Sequence, residues 1–339
     1  MEILHVSDET TKVYMTALNV DEVTLAFEEY RKRGVIEHDW KSWADLFTED
    51  AQYVEHYLGS FIGREQISQW ITSTMKEYPN ISLWMEWWAI EDNRVALYIW
   101  NNLPDPTGTG KRYGFPNTTY LRYAGDGLWD YEEDFYNPVD AERVWQEWFN
   151  DGGRIDTPID EMLRGIQGWA PEVPTDPIAR EEVEEEFHKY VRRGEIAVQT
   201  GNWDQWADQF TEDARYYEHH FGRFTGRTEI KDWITSTMGP FPEMTFPVDH
   251  YIIDGNRVIA LIPNHLPDPN GEGRDYSFNV HVILHYAGNG LWSYEEDVYN
   301  PKEAESVVAR WVEAVSYTHL RAHETREDLG CRLGGEKKK

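Results

Sequence analysis

The sequence has 339 residues, and 62 acidic against 32 basic side chains give it a formal net charge of −30. A chain this acidic, with no cluster of Lys and Arg inside its domains, lacks the surface that a phosphate backbone requires, so we expect no nucleic-acid partner. It has no apolar run long enough to span a membrane, no basic start typical of a signal peptide and one cysteine, Cys331, so we expect a cytoplasmic protein with no membrane partner and no disulfide framework.

The first predicted element is an amphipathic helix. Val23, Phe27 and Tyr30 are spaced at i, i+4 and i+7, which places them on one helical face. Strand-like and helix-like segments then follow in order, separated by Gly, Pro and Asn turns. The further predicted elements are helices at 40–47 and 63–75, strands at 52–58, 83–90, 94–101, 113–123 and 128–136, and a closing helix from Pro138.

The chain contains an internal repeat. Residues 40–148 match residues 203–311 without a gap, at a constant offset of 163, with 56 identities in 109 positions. Each copy is long enough to bury its own core, so the copies are domains rather than solenoid units. The predicted boundaries are an N-terminal extension at 1–19, domains at 20–150 and 181–314, a linker at 151–180 with one short helix around 159–168, and a tail at 315–339.

The tail differs from the rest of the chain. The segment from Val315 to Thr325 resembles one reading frame of a translated sequencing adaptor, and the closing Lys337-Lys338-Lys339 fits a translated A-run. The alternative is a genuine polar tail. We leave the segment out of the fold prediction, and the only cysteine leaves with it.

Helices followed by a run of antiparallel strands indicate an α+β fold. With the opening Gly63-Arg64-Glu65 of the third helix, this pattern resembles the SnoaL-like, nuclear transport factor 2-like superfamily. The resemblance implies two tandem cones, each with three N-terminal helices on a curved antiparallel sheet plus a C-terminal helix. Members commonly dimerise, so the two domains can form an intramolecular pseudo-dimer. The scaffold hosts isomerases, cyclases, hydrolases, dehydratases and catalytically silent binders, so it does not define the function.

Family positions transfer only in part. In the ketosteroid isomerase branch a general-base Asp follows an Asp-Ala motif, and the matching residues here are Glu55 and Glu218. The branch's oxyanion-donating Tyr matches Tyr30 and Tyr190. The branch has a further Asp, which would fall at Thr119 in the first copy and at Val282 in the second, so this chain lacks that acid.

A second branch fits less well. The epoxide hydrolase branch resembles the chain in Tyr53 and Asp134. Its Arg-x-Asp pair, however, would fall on Trp100 and Asn102. The resemblance to this branch therefore stops at two residues.

The residues themselves suggest proton-transfer chemistry. Strand alternation puts Tyr53, Glu55 and Tyr57 on one face. If that face looks into an apolar cavity, burial raises the pKa of Glu55 and lets it act as a base beside a carbonyl, while the Tyr30 phenol stabilises the enolate. The alternative is an ion pair between Glu55 and a surface cation such as Arg64.

The same alternation applies to a repeated acidic strand. Glu132 and Asp134 share a face, as do Glu295 and Asp297 in the second copy. Two carboxyls in one apolar pocket would have to share their protons unequally, which yields an acid and a base. The alternative is a hydrated acidic rim that keeps the protein soluble.

The prediction is a protein that binds a small, mostly apolar molecule in each cone, with cofactor-independent isomerase, cyclase or dehydratase chemistry; the alternative is a binding or assembly module without turnover. No cofactor is expected. His56 and His219 fit either a ligand site or an interface, and no metal site is expected because neighbouring His residues on a strand diverge. The candidate catalytic residues are Glu55, Tyr30, Glu218, Tyr190, Asp134 and Asp297, and the candidate ligand-binding residues are Tyr53, Tyr216, His56, His219, Asn101 and Asn264.

Overall fold

The computed structural model describes residues 22–157 and 169–316, which form two domains of the same architecture. The predicted N-terminal extension, the short linker helix around 159–168 and nearly all of the tail lie outside the described residues. The first domain contains helix α1 (22–30, continued by π-helical turns at Arg31–Ile36), α2 (Trp40–Ala44), β1 (Phe47–Glu55), β2 (Gly59–Ile62), α3 (Arg64–Glu77), β3 (Ser82–Glu91), β4 (Arg94–Leu103), β5 (Tyr113–Gly125), β6 (Leu128–Phe135) and α4 (Pro138–Asn150).

The second domain repeats this order after the linker. Where the first domain has the long strands β4 and β5, the second has two pairs of shorter strands. Pro263 lies between the two strands that replace β4, and its missing N–H interrupts the hydrogen-bond ladder there. The elements are α5 (Arg180–Thr200), α6 (Asp204–Ala207), β7 (Phe210–Glu218), β8 (Gly222–Thr225), α7 (Arg227–Met238), β9 (His250–Asp254), β10 (Arg257–Leu261), β11 (Asn264–His265), β12 (Ser277–Phe278), β13 (His281–Gly288), β14 (Leu291–Val298) and α8 (301–316).

Local sequence signals explain where the helices begin. Gly63 precedes α3 at φ 88°, a backbone conformation that favours glycine, and Gly226 has the same φ before α7. At α4, the Asn137 side chain accepts hydrogen bonds from the backbone N–H groups of Val139 and Asp140, and Pro138 occupies the first turn. The repeated Gly-Arg and Asn-Pro pairs therefore start equivalent helices in both domains.

Each domain has a six-stranded sheet, and the predicted α+β fold is confirmed with one difference. In the first domain the strand order is β2-β1-β6-β5-β4-β3, and β1 runs parallel to β6 while the other neighbours are antiparallel. The second sheet has the same order, with β7 parallel to β14. The sheets are mixed because the chain leaves β1, forms β2, α3 and the strands β3 to β5, and then returns as β6 beside β1 in the same direction.

The two sheets pack against each other through the faces that point away from the helices. The interface is apolar at its centre, where side chains from both domains form one cluster. The buried members are Ala89, Ala96, Tyr98, Phe135, Ile252, Ile259, Leu261, Ile283 and Val298. The domains therefore form the intramolecular pseudo-dimer that tandem copies of a dimerising fold allow.

Candidate active sites

Each domain encloses a cavity between its helices and its sheet. The first cavity has a volume of about 670 Å³ and the second about 300 Å³. Volumes of this order hold a small organic ligand. The aromatic wall of the first cavity includes Trp40, Trp43, Trp70, Phe115, Trp145 and Phe149.

The sheet register brings the candidate carboxyls together. β1 pairs with β6 so that Tyr53 lies beside Glu132 and Glu55 lies beside Asp134. Paired residues of neighbouring strands point to the same face, so all four side chains point toward the first cavity. The second domain repeats the arrangement, with the pairs formed by β7 and β14.

Ten of the twelve predicted site residues line the cavities. They are Tyr30, Tyr53, Glu55, Asn101 and Asp134 in the first and Tyr190, Tyr216, Glu218, Asn264 and Asp297 in the second. The exceptions are His56 and His219, which lie on the other side of the sheet. Neither lines a cavity, because each directly follows the inward-facing Glu and therefore points to the opposite face of the sheet.

Both histidines are held at the domain interface. His56 contacts Glu133 Oε1 at 2.8 Å and Glu303 Oε2, from the other domain, at 2.7 Å. Burial disfavours the charged imidazole, but these two carboxylates outweigh burial and raise the pKa of His56 to about 10. In the second domain His219 Nε2 contacts Glu296 Oε1 at 2.8 Å. The His219 carbonyl oxygen accepts a hydrogen bond from Asn137 of the first domain, so both histidines lie at the interface.

Two carboxyls of the first cavity are joined to phenols. Tyr30 donates to Glu132 Oε1 at 2.8 Å, and Tyr53 donates to Asp134 Oδ2. Asp134 Oδ1 also accepts hydrogen bonds from Thr119 and, at 3.2 Å, from the Asn117 amide. Asp134 thus has three donors around it, whereas Glu132 has one close phenol.

The pKa values of these two carboxyls are raised. Burial and then the negative charge of Asp134 raise the pKa of Glu132 well above its usual range. Burial also raises the pKa of Asp134, but hydrogen bonds from Thr119, Tyr53 and Asn117 oppose that rise. The pKa of Glu132 is therefore raised further than that of Asp134, and of the two carboxyls Glu132 holds its proton more strongly.

Glu55 lines the same cavity but is tied to the turn after β1. Its Oε2 accepts hydrogen bonds from the backbone N–H groups of Tyr57, at 3.0 Å, and Leu58. Burial raises its pKa, and hydrogen bonds from Tyr136 and Leu58 oppose the rise. The expected alternative pairing with Arg64 does not form, because Arg64 donates to the Phe47 carbonyl oxygen at 2.6 Å.

The second cavity repeats the phenol–carboxyl pairs with one change. Tyr190 donates to Glu295 Oε1 at 2.5 Å and Tyr216 to Asp297 Oδ2 at 2.6 Å. Val280 and Val282 line this cavity where Asn117 and Thr119 line the first. As a result, Asp297 Oδ1 is buried and makes no hydrogen bond to a described residue.

Some site residues were outside the predicted set. Glu132 and Glu295 share the cavity face of their strands with Asp134 and Asp297, and strand alternation had already indicated this. Asn117 comes from a strand whose register the sequence does not reveal. Its role therefore emerges only from the structure.

Neither a metal centre nor a membrane span is found in the described parts of the chain. Within 22–157 and 169–316, no group of three or more His, Cys, Asp or Glu side chains is placed to hold a metal ion. Over the same residues, no helix combines the length and apolarity needed to cross a bilayer. Within those ranges, too, Glu55, Glu132, Asp134 and their second-domain equivalents make no salt bridge to Lys or Arg, whereas Glu142, which also lines the first cavity, pairs with Lys302 at 2.6 Å.

Comparison with known proteins identifies the family. The model of the SnoaL-like domain matches residues 27–131 and again 188–295, more than half of the chain. No curated protein matches the chain.

Solved structures of single domains match as well. A hypothetical protein with a ketosteroid isomerase-like fold from Catenulispora acidiphila, in complex with trimethylamine, is 22% identical, with 40% of this chain and 98% of that chain covered and a TM-score of 0.30. A nuclear transport factor 2-like protein from Anabaena variabilis is 16% identical, with coverage of 40% and 94% and a TM-score of 0.28. On the two family matches, the chain belongs to the SnoaL-like domain family and carries two consecutive copies of the domain.

Proposed function

We propose that the chain binds small, mostly apolar molecules in its two cavities and that the first cavity catalyses cofactor-independent proton transfer of the isomerase or cyclase type. The observation that carries the proposal is the pair Glu132 and Asp134. Both carboxyls lie in an apolar cavity, one retains its proton and the other is surrounded by donors. Two carboxyls whose pKa values are pushed apart form an acid and a base.

Asp134 is the best placed base. Its exposed fraction is 9%, against 4% for Glu55 and 2% for Glu132, so it is the least buried of the three residues. Glu55 already accepts two backbone N–H groups and serves to hold the turn. The proposal therefore moves the role of base from Glu55, where the family resemblance put it, to Asp134.

The remaining polar groups have defined parts in such a reaction. The Asp134 carboxylate removes a proton from the carbon beside a ligand carbonyl, and the protonated Glu132 donates a hydrogen bond to the oxygen on which negative charge develops. Tyr53 and Tyr30 hold the two carboxyls through the hydrogen bonds described above. Return of the proton from Asp134 to another carbon completes an isomerisation without any added electron carrier.

One observation favours binding without turnover. Each candidate carboxyl of the first cavity already has a hydrogen-bond partner in the protein: Tyr30 for Glu132, Tyr53 for Asp134 and the turn amides for Glu55. Networks of this kind also serve a purely structural role. An exchange measurement separates the two functions.

The test is exchange of the α-protons of a cavity-bound ketone with deuterium in D2O, followed by NMR. Panels of terpenoid and polyketide ketones would first be screened by thermal shift and native mass spectrometry. We expect Asp134→Asn to reduce exchange by about a hundredfold or more while binding persists. The matched control is Glu49→Gln, which changes an exposed carboxyl on the same sheet. Exchange that survives Asp134→Asn but is lost in Glu55→Gln would return the role of base to Glu55, and binding without exchange would make the protein a binder.

A further inference from the structure

The two cavities differ most where chemistry would take place. Asn117 and Thr119, which bond Asp134 in the first cavity, correspond to Val280 and Val282 in the second. The offset of 163 holds through this segment, so the replacement is a substitution and not a shift of register. Two hydrogen-bond donors to one carboxyl oxygen have been exchanged for methyl groups.

This exchange changes the state of the carboxyl. Asp297 Oδ1 is buried among apolar groups without a hydrogen bond from a described residue, while Oδ2 accepts from Tyr216 at 2.6 Å. Burial raises the pKa of Asp297 to about 8; the Tyr216 hydrogen bond opposes the rise, and the negative charges of Glu218 and Glu296 add to it. At neutral pH the carboxyl is mainly neutral, and a proton on Oδ1 would be available to a ligand.

The wall of the second cavity also differs. Phe241, Met244 and Phe246 stand where Tyr78, Ile81 and Leu83 line the first cavity. The second volume is about 300 Å³, against about 670 Å³ in the first. The second cavity is thus the smaller of the two, and fewer polar side chains line it than line the first cavity.

We propose that the second cavity selects a small apolar ligand with a single carbonyl oxygen, such as a simple ketone, which accepts a hydrogen bond from neutral Asp297. The first cavity takes the larger and more polar ligand. This inference rests on the proposed function, because it requires both cavities to be ligand sites. It adds that Asp297 contacts the ligand as a hydrogen-bond donor and not as an ionised base.

The chemical argument is the cost of an unpaired buried donor. A neutral carboxyl whose proton points into an apolar cavity gains from an acceptor and gains nothing from a hydrocarbon. A ketone supplies an acceptor and no donor, which matches a lining in which Val280 and Val282 lie near Asp297 and the neighbouring Glu295, whose pKa is also raised by burial. A ligand carboxylate is disfavoured, because its charge would be buried without a cation.

The test compares two probes of nearly the same shape. The probes are 4-fluoroacetophenone and 1-ethyl-4-fluorobenzene, which differ in a carbonyl against a methylene group, and their affinities for the full-length chain are measured by fluorine NMR titration. At pH 6.5 we expect the ketone to bind the second cavity about tenfold more tightly than the hydrocarbon, the value of one good hydrogen bond. The preference should disappear above pH 9, where Asp297 is ionised.

Variants locate the effect. Val282→Thr is nearly isosteric and restores the hydroxyl that Thr119 supplies in the first cavity, so it should abolish the ketone preference. The matched variant Thr119→Val changes the other cavity and should leave the preference intact. A decrease in the infrared absorption of protonated carboxylic acids at neutral pH in Val282→Thr, while the part that Glu132→Gln removes stays unchanged, would support the assignment without any ligand.

The outcomes separate the two proposals. A ketone-to-hydrocarbon ratio that ignores both pH and Val282→Thr would overturn this inference while leaving ligand binding, and α-proton exchange in the first cavity, in place. Absence of binding by both probes, together with absence of exchange, would overturn this inference and the proposed function together.

Discussion

The Asn137 side chain donates a hydrogen bond of 2.6 Å to the backbone carbonyl oxygen of His219, across the domain interface. The equivalent Asn300 donates to the carbonyl oxygen of His56 at 2.8 Å. The two bonds are related by the offset of the repeat, so the interface is isologous, as in a symmetric dimer. Each Asn also caps the helix that follows it, and the interface is thereby coupled to the helix starts.

Replacing Asn137 tests this coupling. Asn137→Ala removes one interdomain hydrogen bond and one helix cap, so we expect the free energy of unfolding to fall by about 2 kcal/mol. The measurement is urea denaturation followed by tryptophan fluorescence. Asn150→Ala, at the exposed end of the same helix, serves as the control and should cost less than about 0.5 kcal/mol. Equal losses for the two variants would show that the interface bond contributes nothing.

Deprotonation of His56 should make the protein less stable as the pH rises from about 6.5 to 10. Its folded pKa of about 10 lies above the unfolded value of about 6.5, so the folded state binds more protons between these pH values. The stabilisation is full below pH 6.5 and is lost as pH rises toward 10, with an upper bound of about 5 kcal/mol. The measurement is the difference in unfolding free energy between wild type and His56→Gln at several pH values. A difference that stays constant from pH 6.5 to 10 would contradict the charged-histidine assignment.

Glu132 should lower stability at neutral pH. Its folded pKa lies above the unfolded value, so the folded state holds the proton that the unfolded chain releases, and stability falls as pH rises above about 4.3. Glu132→Gln removes this titration and should stabilise the protein by about 1–2 kcal/mol at pH 7 while reducing activity. Below pH 4 the gain should vanish. Thermal denaturation at pH 4 and 7 checks this, with Glu49→Gln as the surface control; a variant less stable than wild type at pH 7 would refute it.

A matched pair of glycines tests the packing of the cavity walls. A Cβ on Gly34 would lie 2.7 Å from Trp43 Cδ1, whereas a Cβ on Gly194 would lie 3.7 Å from the equivalent atom of Trp206. Gly34→Ala must displace an indole of the first cavity and should cost about 1–3 kcal/mol. Gly194→Ala, in the middle of helix α5, should stabilise by about 0.5–1 kcal/mol. Thermal melts of both variants provide the test, and destabilisation of similar size in both would contradict it.

Sequence reasoning reached the cavity face because strand alternation is a local property. Tyr53, Glu55 and Asp134 face the cavity for this reason, and the same rule points His56 to the opposite side of the sheet. The parallel pairing of β1 with β6 was not predicted, because it joins segments about 80 residues apart. The contact of Asp134 with Asn117 and Thr119 depends on the register of β5 and β6, which shifts at irregularities near their turn and so cannot be counted off from the sequence. The partner of His56 in the other domain has no local signature either.

Covalent fusion of the two halves has an evolutionary consequence. In an ordinary homodimer one gene encodes both subunits, so every substitution appears in both sites at once. Here the linker keeps the two domains at a high effective concentration, so they remain paired on dilution. Substitutions can therefore change the lining of one cavity without changing the other. The difference between Asn117 and Thr119 in one half and Val280 and Val282 in the other is one that a homodimer encoded by one gene could not carry.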